Sequence, residues 1–195
     1  MEAHMHAPFI VGLGGTTRPG STSETALRHA IAAAGSLGAR TRIFAGSDLE
    51  LPLYSPDLPY RDASATALIT ALREADGVII ASPGYHGSIS GLVKNALDYV
   101  EDLRTDVRPY LHGRAFGIIV CAYGWQATGS TLSALRSVAH ALRSWPTPFG
   151  AAINSAQTPF KDGECVDPTV TAHLELVGQQ VYELANAWKT MGRAA

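Results

Sequence analysis

A chain of 195 residues, 46% hydrophobic and 16% charged, carries enough apolar material for one medium-sized core, which argues against a disordered or fibrous polymer. Its formal net charge of −2 argues against a nucleic-acid or anionic-membrane surface, leaving only a local patch open. The two cysteines, Cys121 in an apolar run and Cys165 in the polar stretch "FKDGECVD", make no disulfide framework and point to a reducing, cytoplasmic compartment.

Along the chain, apolar runs alternate with segments of helical periodicity. Residues 1 to 8, "MEAHMHAP", have no apolar stretch and read as a frayed tail, in which His4 and His6 form an H-x-H pair without a third metal ligand. The first run, 9 to 14 ("FIVGLG"), predicts a strand ending in a glycine-rich turn, after which Leu27, Ala30, Ile31 and Ala34 recur on one helix face. A second strand is predicted over 40 to 45, a proline-bearing loop over 51 to 63, and a helix around Leu68, Ile69 and Leu72. The third strand, 77 to 82, is expected to break at Pro83, Gly84 and Gly87, before a helix carrying Val93, Ala96, Leu97 and Val100. The fourth, 115 to 123, leads through a loop over 122 to 130 to a helix with Leu132, Leu135, Ala139 and Leu142. The fifth, 148 to 154, lies in a loop-rich stretch, 144 to 163, suited to a lid or a partner surface, and a helix from Leu174 to Trp188 follows. No segment approaches the length of a membrane span.

Unbroken hydrophobicity in the third and fourth strands means burial on both faces, as in a parallel sheet between helical layers. Five β-α units predict one domain over 9 to 195, a doubly wound five-stranded parallel α/β sheet of order 2-1-3-4-5 with helices on both faces. Its ligand is then expected beyond the carboxyl ends of the first and third strands.

The turn after the first strand, within "IVGLGGTTRPGSTSETALRHAI", misses two phosphate-loop templates by one residue each. A dinucleotide loop needs a third glycine where Thr17 stands, and a triphosphate loop needs a lysine where Ser21 stands. What remains is a helix N-terminus rich in hydroxyls, Thr16, Thr17, Ser21, Thr22 and Ser23, with the guanidinium of Arg18, a donor set for one compact phosphate. The plainer reading is a capping box alone, Ser21 as N-cap and Glu24 three residues on.

The second loop makes the reading specific. The turn "GTTRPGS", the block "SPGYHGSISGLVKNALDYV" and a glycine-bearing loop after the fourth strand together resemble the NAD(P)H-dependent FMN reductase family of flavodoxin-like proteins. That resemblance implies FMN, with NADPH or NADH as hydride donor and free flavin, a quinone or a similar acceptor. It implies phosphate contacts from Thr16, Arg18, Ser21, Thr22 and Ser23, and ring and ribityl contacts from Pro83, Gly84, Tyr85, His86, Gly87 and Ser88. Tyr123, Gly124 and Gly129 of the third loop match loosely, and many relatives carry Glu where this chain has Gly84. It further implies a homodimer or homotetramer, with a flavin-dependent monooxygenase as a recipient of reduced flavin. The hydride chemistry belongs to the cofactor, so no catalytic side chain and no metal is expected.

Other readings stay open beside it. They are a quinone or azo reductase, a flavodoxin-type electron carrier, and a dehydrogenase using Asp48 for a ribose. His86 has no acidic neighbour to form a relay, Trp125 and Gln126 suit either the nicotinamide or a subunit contact, and Lys94 and Asn95 read as structural. Leu92, Val93, Ala96, Leu97, Tyr99, Val100 and Leu103 cover an arc of roughly 160° on a helix, wider than packing on a sheet requires, which suggests a second contact, with another subunit or equally with the 144 to 163 loop.

Overall fold

Backbone pairing follows the apolar runs. In a computed structural model, which describes residues 7–58 and 60–191, the strands are β1 (Phe9–Gly14), β2 (Arg40–Ala45), β3 (Gly77–Tyr85), β4 (Ser88–Ile89), β5 (Ala115–Ala122), β6 (Trp145–Pro146) and β7 (Ala151–Asn154). Five helices connect them: α1 (Thr22–Ser36), α2 (Ala63–Glu74), α3 (Gly91–Asp98), α4 (Trp125–Ala141) and α5 (Pro168–Met191). The His4 and His6 pair and most of the predicted tail lie outside the described residues.

The strands order as β2-β1-β3-β5, all parallel, with a fifth position beside β5. This is the expected winding, with the fifth strand delivered in two pieces. β6 pairs with Ala115 and Phe116 and β7 with Ile119 to Ala122, because Pro148 between them has no N–H for the ladder. Two apolar layers result. One joins Val11, Leu13, Val78, Ile80, Phe116 and Val120 to α2, α3 and α4, while the other joins Ile10, Ile79, Ile119 and Ile153 to α1 and α5. Alternate side chains of one strand thus enter opposite cores, which is why these runs read as unbroken hydrophobicity.

Two expectations change. β3 does not break at Pro83 and Gly84: its pairing with β5 continues to Pro83, and Gly84 and Tyr85 turn back onto β4. β1 has already ended opposite Ala81, so beyond that point β3 lacks one neighbour and tolerates a proline. The loop-rich stretch after β7 is also more ordered than expected. It folds into the hairpin β8 (Phe160–Lys161) and β9 (Glu164–Cys165), whose Phe160 ring meets His29 of α1 edge-on at 6.3 Å.

The wide stripe after β4 is filled from within the chain. Val93, Ala96, Leu97, Tyr99, Val100 and Leu103 are all buried, and the helix tightens to a 3-10 turn over Tyr99–Leu103. The segment around residues 51–61 covers it. Asn95 accepts from the Tyr54 amide at 2.8 Å and donates to the carbonyls of Leu51 and Pro52 at 3.3 and 3.0 Å, while the Tyr99 hydroxyl donates to Pro52 O at 2.9 Å. Arg61 forks onto both oxygens of Asp102 at 2.7 and 2.9 Å and lies over the Tyr54 ring. The stripe therefore gives no support to a subunit contact. Lys94 pairs with Asp98 one turn on, so both polar residues of this helix serve the fold, as read.

The Arg61 hydrogen bonds hold the Asp102 carboxyl below its usual range, so this strap contributes stability at neutral pH that is lost as pH falls through the folded value. Asn95→Ala should leave one amide and two carbonyls of the strap without their partner. We expect a loss of about 1–3 kcal/mol in urea unfolding with the fold retained.

Candidate functional site

At the carboxyl edge of the sheet β1 and β3 part. α1, which follows β1, packs with α5 on one face, whereas α3, which follows β3, packs on the other. The crevice this opens has a volume of about 270 Å³ and is lined by Thr16, Arg18, Ser21, Thr22, Ser23, Pro83, Gly84, Tyr85, Cys121, Ala122, Tyr123 and Ser155. Nine of the residues singled out in the sequence line it together: Thr16, Arg18, Ser21, Thr22, Ser23, Pro83, Gly84, Tyr85 and Tyr123.

Local bonding shapes the first loop. The Thr16 hydroxyl accepts from the Arg18 amide at 3.1 Å, so it folds the loop back on itself. Ser21 caps α1, accepting from Glu24 N at 3.3 Å, and the Glu24 carboxylate accepts from Gly20 N at 3.1 Å and from Arg28 at 2.7 Å. The Ser21 cap is therefore real and coexists with a donor set, while Glu24 reaches the Gly20 amide and not that of Ser21, so the reciprocal half of the expected capping box is displaced by one residue. Among the described residues, no hydrogen bond uses the amides of Thr16, Thr17, Thr22 or Ser23, and no ion pair involves Arg18. Such orphan amides at a helix N-terminus, with a free guanidinium and no carboxylate facing it, fit a phosphate dianion.

The second loop is a tight hairpin. His86 and Gly87 have φ of +50° and +86° between the paired Tyr85 and Ser88, the conformation of a two-residue turn that favours glycine. His86, Gly87 and Ser88 are exposed and stand outside the crevice lining, so His86 serves as a turn residue here. The Ser88 carbonyl accepts from Thr131 of α4 at 3.3 Å, fastening the hairpin to that helix. Gly84 is small for α4 rather than for a ligand: a Cβ there would lie 2.7 Å from Thr131 Oγ1 and 2.9 Å from Ala122 Cβ.

The third loop is shorter than the sequence suggested. α4 begins at Trp125, so Gly129 is a helical residue with open space around it and takes no part in the crevice, a correction to its reading as a loop glycine. Gly124, at φ +108°, makes the turn into α4, and its amide donates at 3.0 Å to Asn154 Oδ1, which also accepts from Ala156 N at 3.1 Å. Asn154 and Ser155 were not singled out in the sequence. They follow the fifth strand, and the predicted sheet order, which sets that strand beside the fourth, was the signal for them. α4 has no side-chain cap, unlike α1, α2, α3 and α5, so its first amides are donors at the mouth of the third loop.

The chemistry of the lining is that of binding. Burial pushes the Cys121 thiol up to about 12, so it stays protonated at neutral pH and is no nucleophile. Tyr85 and Tyr123 are 52% and 84% exposed, leaving two aromatic faces beside the crevice. Asp48 accepts from the Ala45 amide at 3.3 Å in its own turn. Among the described residues no group of three or more His, Cys, Asp or Glu is placed to hold a metal ion, and no helix is long and apolar enough to cross a membrane.

The family model described as NADPH-dependent FMN reductase matches residues 8–158. An NADPH azoreductase of Bacillus sp. (strain OY1-2) is 46% identical over 52 residues, 26% of this chain and 29% of that protein. The NADPH-dependent FMN reductase ArsH of Acidithiobacillus ferrooxidans is 26% identical over 164 residues, covering 84% of this chain and 67% of that one. The alignment thus spans less than a third of the first relative's length. Among solved structures, the flavoenzyme NAD(P)H:(acceptor) oxidoreductase FerB of Paracoccus denitrificans superposes with a TM-score of 0.71 at 18% identity, over 91% of this chain and 98% of that one, which shows a shared fold.

Two glycine substitutions separate packing from binding. Gly84→Ala should cost about 1–3 kcal/mol by forcing α4 away from the sheet. Gly129→Ala, in an open helical position, should stabilise by about 0.4–1 kcal/mol, both read as shifts of the urea midpoint.

Proposed function

Because the chain belongs to the NADPH-dependent FMN reductase family, we propose that it is an oxidoreductase that holds FMN in the crevice between β1 and β3 and passes a hydride from a reduced nicotinamide nucleotide to an acceptor. The observation that carries this reading is the meeting, in one crevice, of the unpaired first-loop amides and Arg18 with the exposed rings of Tyr85 and Tyr123. When bound, FMN supplies the capacity to accept and release a hydride.

The chain's own residues bind and orient. Arg18 and the amides of Thr22 and Ser23 hold the phosphate through charge-assisted hydrogen bonds, and Ser21 keeps α1 in register beneath it. Pro83 and Tyr85 border the flat ring from the second loop and Tyr123 from the third. The uncapped start of α4, next to Tyr123, would offer N–H groups to the bound cofactor from the third loop. No side chain is needed as acid or base.

The acceptor is proposed as a small aromatic oxidant, a free flavin, a quinone or an azo compound, since the relatives include proteins named azoreductase and FMN reductase. A second copy of the chain is the partner proposed for the exposed Leu53, Leu58 and Tyr60, which project from the strap. An electron carrier is the second reading, and the modest net charge of −2 gives little long-range attraction for a basic partner.

Arg18→Ala should weaken FMN about ten- to a hundredfold and leave riboflavin affinity unchanged, measured by quenching of flavin fluorescence. Equal losses for both would move Arg18 off the phosphate. Anaerobic protein loaded with FMN should bleach on addition of stoichiometric NADPH or NADH and recover its colour with oxygen or a quinone. Bleaching by dithionite alone would make the protein a carrier.

A further inference from the structure

At the opposite pole of the sheet, beneath the amino ends of β3 and β5, lies a second cavity of about 470 Å³. Arg73, Thr105, Asp106, Val107, Arg108 and Arg114 line it. We infer that this cavity is a binding site for a phosphate or phosphate-monoester dianion, held by the guanidinium groups of Arg108 and Arg114.

Charge pairing around the cavity leaves these two cations unbalanced. Asp106 is taken by Arg73 at 2.8 Å, and Asp76 by Lys189 at 2.7 Å. Arg114 is 1% exposed, and each of its hydrogen bonds goes to a carbonyl: Ala75 O from Nε at 3.1 Å, Tyr110 and His112 O from Nη1, and Arg73 O from Nη2 at 2.6 Å. Arg108 makes one long contact, 3.4 Å to Ala75 O, and the rest of its fork is unused.

Two of these carbonyls, those of Arg73 and Ala75, close the carboxyl end of α2, whose dipole presents about half a unit of negative charge. Capping that end is the structural task of Arg114, and one guanidinium more than completes it. Arg108 then adds a second cation beside the first, leaving an excess of about 1.5 units in a half-buried pocket. Burial lowers both arginines, Arg114 to about 10 with Arg108 contributing, and it outweighs the opposing pull of Asp76 on both and of Asp106 on Arg114. A dianion matches the excess where a chloride would not, and the open fork of Arg108, with the one N–H of Arg114 that no carbonyl takes, suits tetrahedral oxygens. The volume leaves room for the organic group of a small monoester beside Thr105 and the exposed Val107.

The test is an amide-resolved NMR titration at neutral pH with inorganic phosphate, using sodium chloride at equal ionic strength as the control. Because the first loop also suits phosphate, wild type is compared with Arg18→Ala, and both with Arg108→Gln. The amides of residues 105–108 and of Arg114 should shift saturably in wild type and in Arg18→Ala, and Arg108→Gln should weaken that response at least ~10-fold. This outcome does not depend on flavin binding at the other pole. Should Arg108→Gln fail to give a folded spectrum, Arg108→Lys, which keeps the charge and loses the fork, should still weaken binding. Glycerol phosphate binding more tightly than inorganic phosphate makes the ligand a monoester, and equal binding makes it the free ion. No saturable shift below about 50 mM, equal shifts with chloride, or an unchanged response in Arg108→Gln would each overturn the proposal.

Discussion

The architecture of the carboxyl edge depends on how closely β1 and β3 approach before they separate. A Cβ on Gly14 would lie 2.0 Å from the Ala81 carbonyl oxygen, and the next amide, Gly15, donates to that same oxygen at 3.1 Å. Only glycine lets the two strands run together to their ends. One residue later the chain has left the sheet on one face, while β3 continues and leaves on the other. Neither connection crosses the strand ends, so a crevice forms between them without any residue being spent to hold it open.

Helix ends divide the chain into structural and functional parts. α2 and α3 begin with Asp62 and Ser90, whose oxygens accept from the third amide of each helix, Ala65 and Val93, and α5 begins with Asp167, which accepts from Thr169 and Val170. α1 is capped in the same way by Ser21, its first two amides unbonded, and α4 has no side-chain cap. Of these starts, that of α1 is the one whose unbonded amides, on Thr22 and Ser23, belong to residues lining the crevice beside Arg18. Open amides facing a crevice beside a cation without an ion-pair partner point to an anionic ligand that meets both.

Much of this was legible in the sequence because it is carried by local pattern. The winding of the sheet follows from periodicity, and nine residues of the crevice lining follow from three loops at the ends of predicted strands. What was not legible depends on contacts between distant segments. Gly84 looked like a loop glycine until Thr131, 47 positions on, was seen against it. Gly129 looked like a loop glycine because glycine is a poor helix former, yet α4 tolerates it one turn in. The stripe ending at Leu103 looked unpartnered because its cover, the strap tied by Asn95 and Arg61, has no periodicity of its own. Asn154 gave no local signal at all, since its role is to join two loops that meet only in the folded sheet.

The link at the amino pole has a topological consequence. Asp76 accepts from the Phe9 amide at 2.9 Å and from Lys189 at 2.7 Å, and Lys189 also reaches the Ala7 carbonyl at 3.2 Å, so the first strand and the last helix meet at one carboxylate, far from the crevice. Position along the chain and position in space are therefore nearly circular in this molecule. A permuted chain, joined by a short linker between these two points and reopened at the Asp162–Gly163 turn of the small hairpin, would keep every strand neighbour and both helical layers. Where the polypeptide starts is, for this fold, a matter of history and not of mechanics.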